Sequence, residues 1–162
     1  MKNFFFLLSC VLLILVCLAG SKGTAGSSSQ YCNDRFDYCL DYPASMFQKT
    51  YFSEQTDSLL FTTLDSLGKV SVISTTADHK LDSHQVFEER MRQLAATGCV
   101  ANILSITNGD DYYEVNFLCG NHWYHQKAAF YRNFDVLFTL QVPVNRPELM
   151  MRLKQDVKIE FQ

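Results

Sequence analysis

Four cysteines, Cys32, Cys39, Cys99 and Cys119, lie beyond an apolar N-terminal run and are the most reactive set in the chain. Four thiols can form two disulfides or enclose a zinc ion. The spacing C-x6-C followed by C-x19-C lacks the short paired knuckles that close around zinc. His122-x2-His125 invites a metal reading, but on a strand residues three apart point to opposite faces. His79 and His84 flank a helix start and read as loop and cap residues. Asp82, Ser83 and His84 are the residue types of a hydrolase triad. As neighbours in sequence they cannot take up its geometry, and no G-x-S-x-G elbow is present. Asp110-Asp111 imitates a carboxylate pair at a hairpin tip, with nothing to drive the two pKa values apart. Glycine motifs of the phosphate-cradling kinds are missing.

Aromatic residues offer a second kind of site. Tyr112, Tyr113, Trp123, Tyr124, Phe130, Tyr131 and Phe134 gather in the second half of the chain. Strand alternation sends some of them to a sheet face without helix cover, and Tyr and Trp favour binding surfaces. Tyr112, Trp123, Tyr124 and Tyr131 are the candidate binding face; ordinary cross-strand packing is the alternative.

The elements that must position these residues follow from periodicity. FDYCLDY (36–42) alternates and ends at Pro43. SLLFTTL (58–64) and KVSVIST (69–75) flank the turn Asp65-Ser66-Leu67-Gly68. Asp82 and Gln85 have capping-box spacing. Val86, Phe87, Met91, Leu94 and Ala95 make a helical stripe, and Gly98 is a stop, so a helix is expected over 83–97. ANILSITNGDDYYEVNFL (101–118) folds as a hairpin about Gly109, which sets Ala101 against Phe117, Ile103 against Val115 and Cys99 against Cys119. That register predicts a Cys99–Cys119 bridge and leaves Cys32 to pair with Cys39. Strands over 122–132 and 136–142 continue a meander. A last helix opens at Asn145 and Pro147, with Leu149, Met150, Leu153 and Val157 facing inward. The expected class is α+β, an antiparallel β-sheet meander with two main helices packed on it.

The N-terminus reads differently. Met1-Lys2-Asn3 precedes FFFLLSCVLLILVCL (4–18) and a small polar tract, the pattern of a secretory signal peptide. The expected organisation is a signal peptide over 1–21, with cleavage as late as 26, a flexible linker over 22–30 and a single domain over 31–162. The apolar run is shorter than the ~20 residues that cross a bilayer, which disfavours a retained anchor. Cys17 is the better-placed acceptor for a lipoprotein lipid, but Val16 before it is larger than such processing accepts. Export makes disulfides the default state of the four later cysteines. The 14 basic and 17 acidic residues give a net charge of −3. Setting aside Lys2 and Lys22 leaves 12 against 17, a net charge of −5, which argues against nucleic-acid binding and against an electrostatic hold on anionic membrane.

Three stretches resemble small exported proteins of the PsbP-like superfamily: CNDRFDYCLDYP (32–43), FLCGNHWYHQKAAFY (117–131) and VPVNRPELMMRLKQDVKIEF (142–161). The shared pieces are a first strand running into Tyr42-Pro43, Cys119-Gly120 before an aromatic-and-Lys strand, and Pro143 before a C-terminal helix that closes on Phe161. QVPV (141–144) departs from the pattern, where Tyr before the Pro is expected. The resemblance implies an α/β/α sandwich with a central antiparallel sheet. It also implies a non-catalytic role, with no cofactor and no catalytic or metal residue to carry over. The functional expectation is an exported, non-catalytic binding or adaptor domain in the periplasm or at the cell envelope, secreted or tethered as a lipoprotein, with a protein or envelope ligand as partner. No integral membrane domain is expected in the mature chain. The alternatives are a periplasmic immunity protein against a toxin, and a small hydrolase or metal-dependent enzyme built from His122, His125, Asp110 and Asp111.

Overall fold

A computed structural model describes residues 28–53, 57–76 and 82–162. The expected signal peptide, Cys17, residues 22–27 of the linker and His79 lie outside the described residues. Residues Ser28, Ser29 and Gln30, expected in the linker, already belong to a strand.

Ten strands and two helices follow in order: β1 (Ser28–Asn33), β2 (Tyr38–Pro43), β3 (Phe47–Ser53), β4 (Ser58–Thr63), β5 (Lys69–Thr76), α1 (Ser83–Ala96), β6 (Asn102–Asn108), β7 (Tyr112–Cys119), β8 (His122–Phe130), β9 (Phe134–Pro143), α2 (Pro147–Asp156) and β10 (Lys158–Phe161). A seven-stranded sheet has the order β3-β4-β5-β9-β8-β7-β6, and a three-stranded sheet has the order β1-β2-β10, with all pairings antiparallel. The architecture is α+β, as expected. Neither the three-stranded sheet nor β3 was expected: β1 starts in the polar tract read as linker, and β10 is a four-residue strand that pairs with β2 only through the return of the chain from α2.

Alternation along the large sheet builds two cores. On one face Phe61, Val70, Val72, Phe138, Leu140 and Val142 meet Leu149, Met150 and Leu153 of α2 and Tyr38 and Leu40 of the small sheet. On the other face Tyr113, Val115, Phe117 and Ala128 meet Phe87, Met91 and Leu94 of α1. The two helices therefore sit on opposite faces, and period-2 burial on the strands is matched by one apolar stripe per helix. Asp82 caps α1 through the Gln85 amide in a complete capping box, and Gly98 takes the positive φ of 86° that ends it. Pro147 opens α2.

The β6–β7 hairpin corrects the expected register. Its tip is a two-residue turn at Asp110-Asp111, closed by the Gly109 amide donating to the Tyr112 carbonyl at 2.9 Å, so the hairpin is not centred on Gly109. A bulge between Ile103 and Ser105 shifts the ladder again. Ile103 consequently faces Phe117, and Val115 faces Ile106. The two cysteines are no longer directly opposed, since Cys99 precedes the strand. Cys99 and Cys119 still stand at disulfide distance, with Cα atoms 5.6 Å apart, because the chain turns in before β6. Cys32 and Cys39 are directly opposed across β1–β2, with Cα atoms 4.1 Å apart, and also stand at disulfide distance.

Candidate functional site

The four aromatics of the expected binding face do not share a face. Trp123 and Tyr124 are consecutive on β8 and point to opposite sides. Trp123 packs into the core under α2. Tyr124 stacks on Phe117 at 4.9 Å with ring planes 6° apart, inside the core under α1, and burial raises its pKa. Tyr131 packs beside the α2-side core and stacks on Phe134 at 4.4 Å. Only Tyr112 is largely exposed. The reason is that both faces of the sheet are covered at β7–β8. The uncovered face lies at the other end, over β3–β5, where Tyr51, Leu60 and Ile73 are exposed.

The polar candidates separate as well. Asp110 and Asp111 sit at the hairpin tip, while His122 pairs with Cys119 at the far end of β7, about 24 Å away at ~3.4 Å per residue. His122 and His125 occupy opposite faces of β8. Ser83 donates its hydroxyl to the Gly109 carbonyl, away from His84, which faces Glu88 at 3.8 Å. Among the described residues no group of three His, Cys, Asp or Glu side chains comes together around a metal position.

Two other features emerge. The first is the free edge of β6. All seven residues from Asn102 to Asn108 are exposed, and none carries a charge. Ile103, Leu104 and Ile106 keep 40%, 48% and 41% of their surface in water. The apolar face expected to bury this strand exists on β7, but α1 does not reach the sheet edge. A Cβ at Gly109, beside the tip, would meet the exposed Tyr112 ring, which would have to swing aside.

The second is a cavity of about 240 Å³ between β7, β8, β9, α2 and β10. His125 lies at its floor, 2% exposed, because alternation points it under α2. Its Nδ1 is 3.0 Å from Asn116 Oδ1, which also accepts from Lys154 Nζ at 3.2 Å. The other ring nitrogen, Nε2, lies 3.9 Å from Glu114 Oε1. Lys127 pairs with Glu114 at 3.3 Å, and Lys158 donates to the Lys154 carbonyl at the end of α2 at 2.8 Å. Burial pushes the His125 pKa down to about 4. Lys154, Lys127 and Lys158 push the same way, and Glu114 opposes them. Phe138, Leu140, Val157 and Ile159 form the apolar wall. Sequence reasoning set His125 on a strand over 122–132, on the face opposite His122. It missed that Lys154 and Lys158, four apart across a helix end, would fold over that face.

No family profile and no curated protein matches the sequence. The fold matches the solution structure of cyanobacterial PsbP (CyanoP) from Synechocystis sp. PCC 6803, with a TM-score of 0.60 and 16% identity over 87% of this chain and 98% of that one. The two helices on opposite faces of an antiparallel sheet are thus a known arrangement, and the chain has a PsbP-like fold.

Proposed function

We propose that the protein is an exported, non-catalytic binding domain of the periplasm or cell envelope that takes up a segment of a protein partner as an added strand beside β6. The carrying observation is the uncharged, exposed edge of β6. A sheet edge offers unpaired N–H and C=O groups, and proteins usually guard it with charge, Pro or a covering element. Here the guard is one bulge. A neutral edge flanked by Ile103, Leu104 and Ile106 suits an extended, uncharged segment rich in β-branched residues, whose backbone supplies the ladder and whose side chains add apolar contact. The leader sequence and the two cysteine pairs support an oxidising compartment. Among the described residues no helix is long and apolar enough to cross a membrane.

The test places a photo-crosslinking amino acid at Leu104 in the exported full chain, in the source cells. The expected result is one discrete adduct with a second polypeptide, lost when Ile106→Lys puts a charge on the edge. An equal adduct from a crosslinker at Arg152 on α2, or an adduct insensitive to Ile106→Lys, overturns the proposal. So does an adduct formed only with a second copy of the chain, because the edge then serves self-association.

A further inference from the structure

The cavity around His125 is lined by other residues than the strand edge, and its wall is chemically divided. Lys154 and Lys158 come from opposite sides of the end of α2 and stand against the buried imidazole. The only carboxylate lining the cavity is Glu114, which pairs with Lys127. Lys154 and Lys158 are held by neutral acceptors, an amide oxygen and a backbone carbonyl, and among the described residues neither has a carboxylate within ion-pair distance. Two uncompensated ammonium groups beside an apolar wall form a site for an amphipathic anion. The volume suits a ligand at the small end of organic molecules, below the usual ~300 Å³ and larger of drug-sized pockets.

We propose that this cavity binds the carboxylate head of a small organic acid, held by Lys154 and Lys158, with its apolar body against Phe138, Leu140, Val157 and Ile159. The imidazole adds a pH dependence. Asn116 Oδ1 can only accept, so neutral His125 carries its proton on Nδ1 and leaves Nε2 as a lone pair. The charged groups facing it are Glu114 of β7, Lys127 of its own strand, Lys154 of α2 and Lys158 at the start of β10. A bound carboxylate tips this balance toward the imidazolium. Binding then takes up a proton onto Nε2, and affinity falls as pH rises.

The test is an NMR titration of the disulfide-intact protein with benzoate, its neutral isostere benzamide, and inorganic phosphate. Benzoate is expected to shift the amides of β8 and the end of α2 saturably, and to move the His125 ring nitrogens toward the imidazolium pattern. Lys158→Gln, an exposed position, should weaken benzoate about tenfold, the worth of one charge-assisted hydrogen bond. Between pH 5 and 7 affinity should fall by up to about tenfold per unit, and His125→Gln should flatten that slope. Benzamide binding as well as benzoate overturns the proposal, as does phosphate binding more tightly than benzoate. Shifts from none of the three, or an unchanged affinity in Lys158→Gln, also overturn it.

Discussion

His125 Nδ1 lies 3.0 Å from Asn116 Oδ1, and this contact fixes the tautomer of an imidazole that is 2% exposed. The same amide is tied onward, its nitrogen donating to Ser105 Oγ at 2.8 Å and its oxygen accepting from Lys154. Asn116 therefore joins the edge strand, the cavity and α2 in one network.

Acid should destabilise the fold through His125. Its pKa is lowered from 6.5 to about 4 in the folded chain, so between those values the unfolded chain binds more protons. Stability is then at its plateau above about 6.5 and is lost as pH falls toward about 4. The full shift corresponds to roughly 3 kcal/mol, an upper figure because relaxation and water entry soften it. Urea unfolding at pH 7 and pH 5 should show the drop in the wild type and a smaller one in His125→Gln. Equal drops in both would assign the pH dependence elsewhere.

Breaking the Cys99–Cys119 pair should cost more than breaking Cys32–Cys39. The two close loops with sequence separations of 20 and 7. Loop-closure entropy makes them worth about 3 and about 2 kcal/mol in turn. The paired Ser variants of each should be compared by denaturant midpoint. Hydrogen exchange should show faster opening of β6 only in the Cys99→Ser/Cys119→Ser protein, since that bridge anchors the start of the edge strand.

The fold was legible where period and burial agreed. The capping box at Asp82 and Gln85, the stop at Gly98 and the stripe Leu149, Met150, Leu153 and Val157 all carry local signals that the packed structure keeps. Which cysteines come within disulfide distance was legible even though the hairpin register was not, because the two-residue tip and the bulge shift the ladder while leaving Cys99 close to Cys119. The candidate aromatic face failed for a long-range reason. Alternation says which side chains share a face, but not which part of that face a helix will cover. The cavity was illegible for the same reason, as Lys154 and Lys158 meet His125 only through the return of the chain from α2 into β10.

Gly68→Ala should destabilise the β4–β5 hairpin although its backbone is not strained. A Cβ there would lie 2.8 Å from Thr63 Cγ2 and 3.2 Å from Leu153 Cδ1. Thr63 cannot rotate away freely, because its hydroxyl donates to Asp65 at 2.6 Å and accepts from the Gly68 amide at 2.8 Å. Overpacking of this kind costs about 1–3 kcal/mol. Thermal unfolding should show it as a lowered midpoint, and an unchanged midpoint would mean that Thr63 and Leu153 move aside without cost.

Asp82→Ala should loosen α1 selectively. The helix buries little, since among its residues only Ser83 and Val86 are buried, so its end contacts carry an unusual share of its stability. The Asp82 carboxylate accepts from the Gln85 amide at 2.9 Å, and the Gln85 side chain answers to the Asp82 amide at 3.3 Å. Removing the first bond leaves a helix N–H to water and costs about 1 kcal/mol. Amide exchange should accelerate across α1 and leave α2 unchanged, because α2 has no side-chain cap to lose, opens with Pro147, which has no N–H to satisfy, and is held by three buried side chains in the other core. Acceleration in both helices would mean that the two faces of the sheet open together, and the separate cores would then act as one cooperative unit.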